Sequence, residues 1–406
     1  MAVDTAALVG LDAFPTLAKT GVAYLDSAAT SQTPLSVIEA MDSYYRESRA
    51  SVHRGVYPLA VEATELFEAG REKAAAWLGW ETENTIFARN ATECINLVAQ
   101  GWGLQHVGPG DRIVVTEMEH HSSFVPWWRV ARDRGATLEV VEVDENGELR
   151  LDQLDAFLAE GNVKAVGIVH VSNVVGTINP VAEIVAKARA AGAITCIDGT
   201  QAVPQIPVDL KAIDADFYAW TGHKAYGPTG IGVLHGRREA LEATEPLVTG
   251  GHMISKVTVE NVTWGEIPAK FEAGTSAIAE GVALGTAVDF LSGLGMETVR
   301  AHERDVVAYA LEQLAEVPGL KVHGPLDPDR RGALVSFELD GIHPHDVGEI
   351  LGSQGVCVRA GHHCAQPLMK RLGITASSRA SFAVHSTRDD VDRLVAALHR
   401  VREIFA

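Results

Sequence analysis

The chain has 406 residues, of which 47% are hydrophobic and 21% charged, the balance of a soluble globular protein with room for two or three domains. That composition excludes disordered, collagen-like and coiled-coil architectures. With 34 basic against 53 acidic residues the formal net charge is -19, which repels phosphate backbones and anionic lipid and argues against nucleic acid or a membrane as main partner.

Helical spacing comes first along the chain: Leu66, Gly70, Ala74 and Trp77 form one row, with Phe67 and Leu78 beside it. Short β-rich runs follow at 85–89, 112–118, 138–143, 165–171, 193–198, 216–219 and 232–235. Helical patterns fall between several of them, one closing at 100–104, others at 124–134 and 180–191. Nearly continuous apolar strands alternating with helices predict an α/β fold, its sheet mostly parallel and covered on both faces. From about Gly295 the alternation breaks down. A long helix over 297–315 leads to strands at 333–339, 356–359 and 381–384, a short helix among them, and a last helix. Thr387 and Asp390 read as that helix's capping box, with Val391, Leu394, Val395, Leu398 and Phe405 on one face. The expected organisation is a large domain over 21–290 and a smaller α+β domain made of 1–20 and 291–406.

Four cysteines, Cys94, Cys196, Cys357 and Cys364, are too few for a disulfide framework, and no C-x-x-C pair announces a zinc site. Met1 to Gly10 lacks the basic start of a signal peptide, and the uncharged stretch 165–182 carries His170, Asn173, Asn179 and Pro180, a poor membrane span. A cytoplasmic chain without a bound metal is expected.

The chemistry gathers at strand ends. The run Thr221-Gly222-His223-Lys224 closes one predicted strand, and Asp198 closes another. A lone lysine on a loop is usually solvated, and an acid at a strand end is often a helix N-cap. In an open α/β sheet, however, these ends face one ligand crevice. A lysine able to form a Schiff base, an acid for a pyridinium proton and an anion cradle suit pyridoxal phosphate. Asn90-Ala91-Thr92-Glu93 opens a helix and supplies the cradle, with Thr221 and His223 as further donors. Glu119-His120-His121 puts an imidazole at a third strand end. Cys364 lies in a polar Gly-His-His-Cys turn between Arg359 and Arg379 in sequence, where basic neighbours favour the thiolate. The other cysteines read as small buried hydrophobes, and the adjacent His362, His363 and Cys364 point apart too much to share one metal.

Taken in order, these stretches resemble the Suf-type cysteine desulfurases with selenocysteine lyase activity, in the class V aminotransferase family of fold-type I pyridoxal phosphate enzymes. The resemblance also rests on Tyr24-Leu25-Asp26-Ser27-Ala28-Ala29, Val52-His53-Arg54-Gly55, His170-Val171-Ser172-Asn173, Phe271-Glu272-Ala273-Gly274-Thr275 and Arg379-Ala380-Ser381. It implies Lys224 as Schiff-base lysine, Asp198 at the pyridinium nitrogen, Gln201 at the phenolic oxygen and His120 stacked on the ring. Thr92, Thr221 and His223 would hold the phosphate, and Thr275 would reach the phosphate of a neighbouring subunit, which implies a homodimer. Asn173, Arg359 and Arg379 would bind the carboxylate of L-cysteine. Cys364 would take its sulfur as a persulfide, destined for iron–sulfur cluster assembly. A zinc-binding, scaffold-like acceptor protein is implied, with His345 exchanging onto its zinc. Selenocysteine lysis, or another pyridoxal phosphate-dependent C–S lyase or aminotransferase reaction, is the alternative.

Overall fold

The protein is described here by a computed structural model covering residues 6–405; Met1 to Thr5, the start of the segment read against a signal peptide, lie outside the described residues. The strands in chain order are β1 (Ala23–Tyr24), β2 (Thr85–Ala88), β3 (Arg112–Thr116), β4 (Thr137–Val141) and β5 (Val163–Val169). There follow β6 (Ile194–Asp198), β7 (Phe217–Thr221), β8 (Gly232–Gly236), β9 (Ile254–Val257) and β10 (Val262–Trp264). The chain then adds β11 (Leu320–His323), β12 (Leu334–Leu339), β13 (Val356–Cys357), β14 (Arg359–Gly361) and β15 (Ser377–Ser381).

Seven strands form the large sheet in the order β2-β8-β7-β6-β5-β3-β4, in which only β8 runs against the others. Period-two alternation sends side chains to both faces, and both are buried. Ile113, Val115, Phe217 and Leu234 meet Trp127 and Val130 of the helix His121–Arg134 on one face. Val114, Ile197, Tyr218 and Val233 share the opposite core with Leu154 and Ile184, from the helices Leu151–Glu160 and Val181–Ala190. The chain steps outward from β3 to β4 and then returns to place β5 on the other side of β3. That reversal is the topological switch, where the carboxyl ends of the strands leave a crevice.

The second sheet, β11-β12-β15-β14, is antiparallel. Its core of Val335, Phe337, Ala380, Val306, Leu394 and Leu398 includes Ala23 and Leu25, and β1 pairs in parallel with β13. Phe14 and Leu17 pack instead in a core of the large sheet. Among the described residues no single helix is long and apolar enough to cross a membrane.

Several elements differ from the sequence reading. The strand expected at 381–384 is β15, four residues earlier. Its polar Ser377–Ser381 run is fully buried because it pairs on both edges, with β12 and β14. Residues 356–359 split into β13 and β14, which pair with different strands, β1 and β15. The edge strand β11 and the exposed hairpin β9–β10 were not foreseen. In the helix Pro58–Trp77 the buried row is Ala63, Phe67, Gly70 and Ala74, while Leu66 is exposed. Gly70 is required there: a Cβ would sit 2.2 Å from the Gly281 carbonyl oxygen of the helix Ile278–Leu294. The last helix, Arg388–Phe405, has its capping box: the Asp390 N–H donates to Thr387 Oγ1 (3.2 Å), and the Thr387 N–H to Asp390 Oδ2 (2.9 Å). Phe405, placed on its buried face by the spacing, is exposed.

Candidate active site

The carboxyl ends of β3, β5, β6 and β7 open onto a cavity of about 230 Å³. Lys224 stands at its base, on the 3-10 turn Gly222–Lys224 that ends β7. Burial, with Arg379 nearby, lowers its ammonium to about 8, against the opposing pull of Asp198. A lysine held there keeps a useful neutral fraction near pH 7, which a nucleophilic amine needs.

Asp198 ends β6 on the same cavity, one oxygen accepting the Thr200 N–H at 3.0 Å. Gln201 gives one amide hydrogen to the Ala28 carbonyl at 2.7 Å and also lines the cavity. His120 precedes the helix His121–Arg134, and its Nδ1 accepts the Ser122 N–H at 3.1 Å. The remaining hydrogen is therefore on Nε2. Burial and Lys224 push this imidazole to about 4, so it is neutral, a flat apolar face on the cavity wall.

One end of the cavity is lined by Asn90, Ala91 and Thr92 at the start of the helix Ala91–Asn96, which Asn90 caps through Glu93 N–H (2.9 Å). Gly232 lets this helix start approach the sheet, since a Cβ would lie 2.4 Å from the Asn90 carbonyl carbon. Thr221 and His223 line the cavity too. His223 is held neutral, near 4, by burial and Lys224.

The second sheet supplies the other wall. Arg359 and Arg379 face each other across β14 and β15, an unfavourable juxtaposition of like charges unless an anion joins them. Arg379 is fully buried; its Nη1 donates to the Asn173 carbonyl (2.7 Å) and its Nη2 to Asp26 Oδ1 (3.3 Å). Its Nε and Asn173 Oδ1 have no protein partner, a donor and an acceptor both buried beside the cavity. Cys364 is the exposed one of the four free cysteines. Burial raises the thiols of Cys94 and Cys196, leaving them inert. Cys364 and His363 both have left-handed backbone, with φ of 56° and 51°.

Most residues singled out in the sequence thus meet in this cavity: Thr92, His120, Asn173, Asp198, Gln201, Thr221, His223, Lys224, Arg359, Cys364 and Arg379. Two do not. Thr275 is exposed beside a separate cavity of about 330 Å³ that it shares with Arg89 and Glu272. His345 is exposed on the helix Pro344–Ser353 and outside the cavity. Sequence reasoning missed Asp26 and Thr200 as site residues. Asp26 is half-buried against Arg379, and Thr200 Oγ1 is a buried hydroxyl without a partner on the cavity wall. An acid just after β1 was a visible signal; Thr200 gave none beyond its nearness to Asp198. Among the described residues no group of three or more His, Cys, Asp or Glu side chains could hold a metal ion.

A buried amine facing a carboxylate, a neutral imidazole wall, a helix start at one end and unpaired polar atoms at the other define a site for a flat, phosphorylated carbonyl cofactor. Residues 23–394 match the class V aminotransferase family, and the chain belongs to it. It is 46% identical over 389 residues to a cysteine desulfurase of Haloferax volcanii, covering 95% of this chain and 91% of that one. Solved cysteine desulfurases of Thermococcus onnurineus (38% identity, TM-score 0.93) and Escherichia coli (36%, 0.90) share the fold over 97% of each chain.

Proposed function

We propose that the protein is a cysteine desulfurase, converting L-cysteine to L-alanine and a persulfide on Cys364. The observation that supports it most is the single cavity holding Lys224, Asp198 and the paired arginines, with the Cys364 turn on its rim. The donor set fits pyridoxal phosphate, with Lys224 as covalent anchor, Asp198 at the ring nitrogen and His120 on the ring face. Thr92, Thr221 and His223 would lie at the phosphate, and Gln201 at the phenolic oxygen. That cofactor, when bound, supplies the electron sink for a carbanion at the substrate Cα.

The protein's own residues do the rest. Arg379 and Arg359 orient the amino acid through its carboxylate, with Asn173 beside them on the cavity wall. Lys224, lowered to about 8, moves the Cα proton. The Cys364 thiolate attacks the substrate sulfur: an S–S bond forms, the Cβ–S bond breaks, and hydrogen takes the place of sulfur on Cβ. Thiol plus cysteine therefore becomes persulfide plus alanine, with no outside oxidant.

The finer reading is delivery of this sulfur to iron–sulfur cluster assembly in the cytoplasm by a homodimer, with Thr275 reaching the neighbouring subunit's cofactor. Four free cysteines suit a reducing compartment. The acceptor would be a zinc-binding, scaffold-like protein. The exposed His345 imidazole can replace a thiolate on zinc and free it to receive sulfur. Incubation of the cofactor-loaded protein with L-cysteine should give alanine and a mass gain of one sulfur atom on Cys364. C364A should bind the cofactor and release no alanine, whereas pyruvate with free sulfide would identify a C–S lyase. H345A should keep basal alanine release in the presence of a reductant and lose stimulation by a zinc-loaded acceptor; equal stimulation would reduce His345 to a surface residue.

A further inference from the structure

We infer that His121 is a positioning residue for Cys364, its backbone and its ring together holding the cysteine turn against the large sheet. Two successive non-glycine residues in the left-handed region, His363 and Cys364, are strained and persist only where their surroundings fix them. Three carbonyls of the turn are engaged. His362 accepts the Ala365 N–H (3.0 Å), and His363 accepts Asn173 Nδ2 (2.7 Å). Cys364 accepts the His121 N–H at 2.7 Å.

The ring adds a second tie. The helix Gln366–Leu372 begins immediately after the turn, and its N-cap, Ala365, has no side chain able to cap it. His121 Nε2 accepts the Gln366 N–H at 3.2 Å, from 245 positions away in sequence. It thus stands in for the missing cap. Nε2 must be unprotonated to accept, so the ring hydrogen is on Nδ1.

His121 is itself anchored. Its neighbour Glu119 is buried, with Oε1 accepting both Thr116 Oγ1 and the Val169 N–H at 2.9 Å, which joins the ends of β3 and β5. Three consecutive residues thus brace the site: Glu119 fixes the strand ends, His120 presents its ring to the cavity, and His121 holds the nucleophile's turn. Arg371, on the same small-domain helix, ties to Glu117 at 2.6 Å, so the helix is held at both ends.

The test uses the cofactor-loaded protein with H121A, H121Q and H121N. All keep the backbone N–H; a Gln amide oxygen reaches the position of Nε2, while an Asn oxygen stops at that of Nδ1. Hydrogen exchange of amides 362–366 should be about five- to tenfold faster in H121A and H121N and near wild type in H121Q, as expected for one lost hydrogen bond. Persulfide formation on Cys364 in a single turnover with L-cysteine should slow about tenfold in the same two variants, with cofactor capture by Lys224 unchanged. This second readout rests on the desulfurase reading. If the wild type forms no persulfide, that reading fails and the exchange data alone decide. Wild-type exchange in H121A, equal behaviour of H121Q and H121N, or unslowed persulfide formation in H121A would overturn the inference.

Discussion

Lys224 carries a stability penalty that can be measured without any substrate. Its ammonium titrates at about 8 in the fold against an ordinary 10.5, chiefly because it is buried. At 1.36 kcal/mol for each pH unit, keeping the proton in the folded chain costs roughly 3 kcal/mol at pH 7. Between pH 8 and 10.5 the unfolded chain still binds a proton that the folded chain has released. Stability contributed by this group therefore rises with pH across that window. Lys224→Met keeps the length of the side chain and removes the amine. Urea unfolding of the cofactor-free proteins, followed by tryptophan fluorescence, should find the variant roughly 2–3 kcal/mol more stable at pH 7, with the gap shrinking towards pH 10. The same variant should capture no added pyridoxal phosphate covalently, read by mass after borohydride reduction, and should show no turnover. Equal stability at pH 7, or a gap that does not change with pH, would refute the claim that burial makes this lysine a nucleophile. A tenth or so of the wild-type amine is neutral at pH 7, against fewer than one in a thousand for an ordinary lysine.

Arg379→Lys should lower kcat/KM for L-cysteine about 30-fold or more, mostly through KM, because one ammonium cannot replace the guanidinium fork that also holds the Asn173 carbonyl; an unchanged KM would place the substrate carboxylate elsewhere. Glu272→Ala should destabilise the chain by about 3–5 kcal/mol in denaturant unfolding. It leaves the fully buried Arg71 without the carboxylate that bonds both its Nη1 and Nη2. A loss within 1 kcal/mol or so would mean that Glu68 and the Thr85 carbonyl satisfy Arg71 without Glu272.

The α/β alternation, the strand ends bearing Asp198 and Lys224, the helix start at Asn90 and the capping box at Thr387 were legible in the sequence, because each is local: a period, a cap or a terminus within a few residues. Hydrophobic runs likewise mark strands whose two faces are both buried. β15 broke that rule, since its serines are buried by two neighbouring strands and no local pattern records such pairing. The family resemblance supplied roles for residues whose local spacing could not assign them. Only the tertiary structure decided which distant groups share a proton, a charge or a turn. Arg379 opposite Arg359 follows from sheet register, and Asp26 beside Arg379 from the packing of the chain's two ends. His121 capping the Cys364 helix is a contact between residues 245 positions apart. Such pairs depend on closing long loops through a common core, and the period of a single helix or strand carries no information about them.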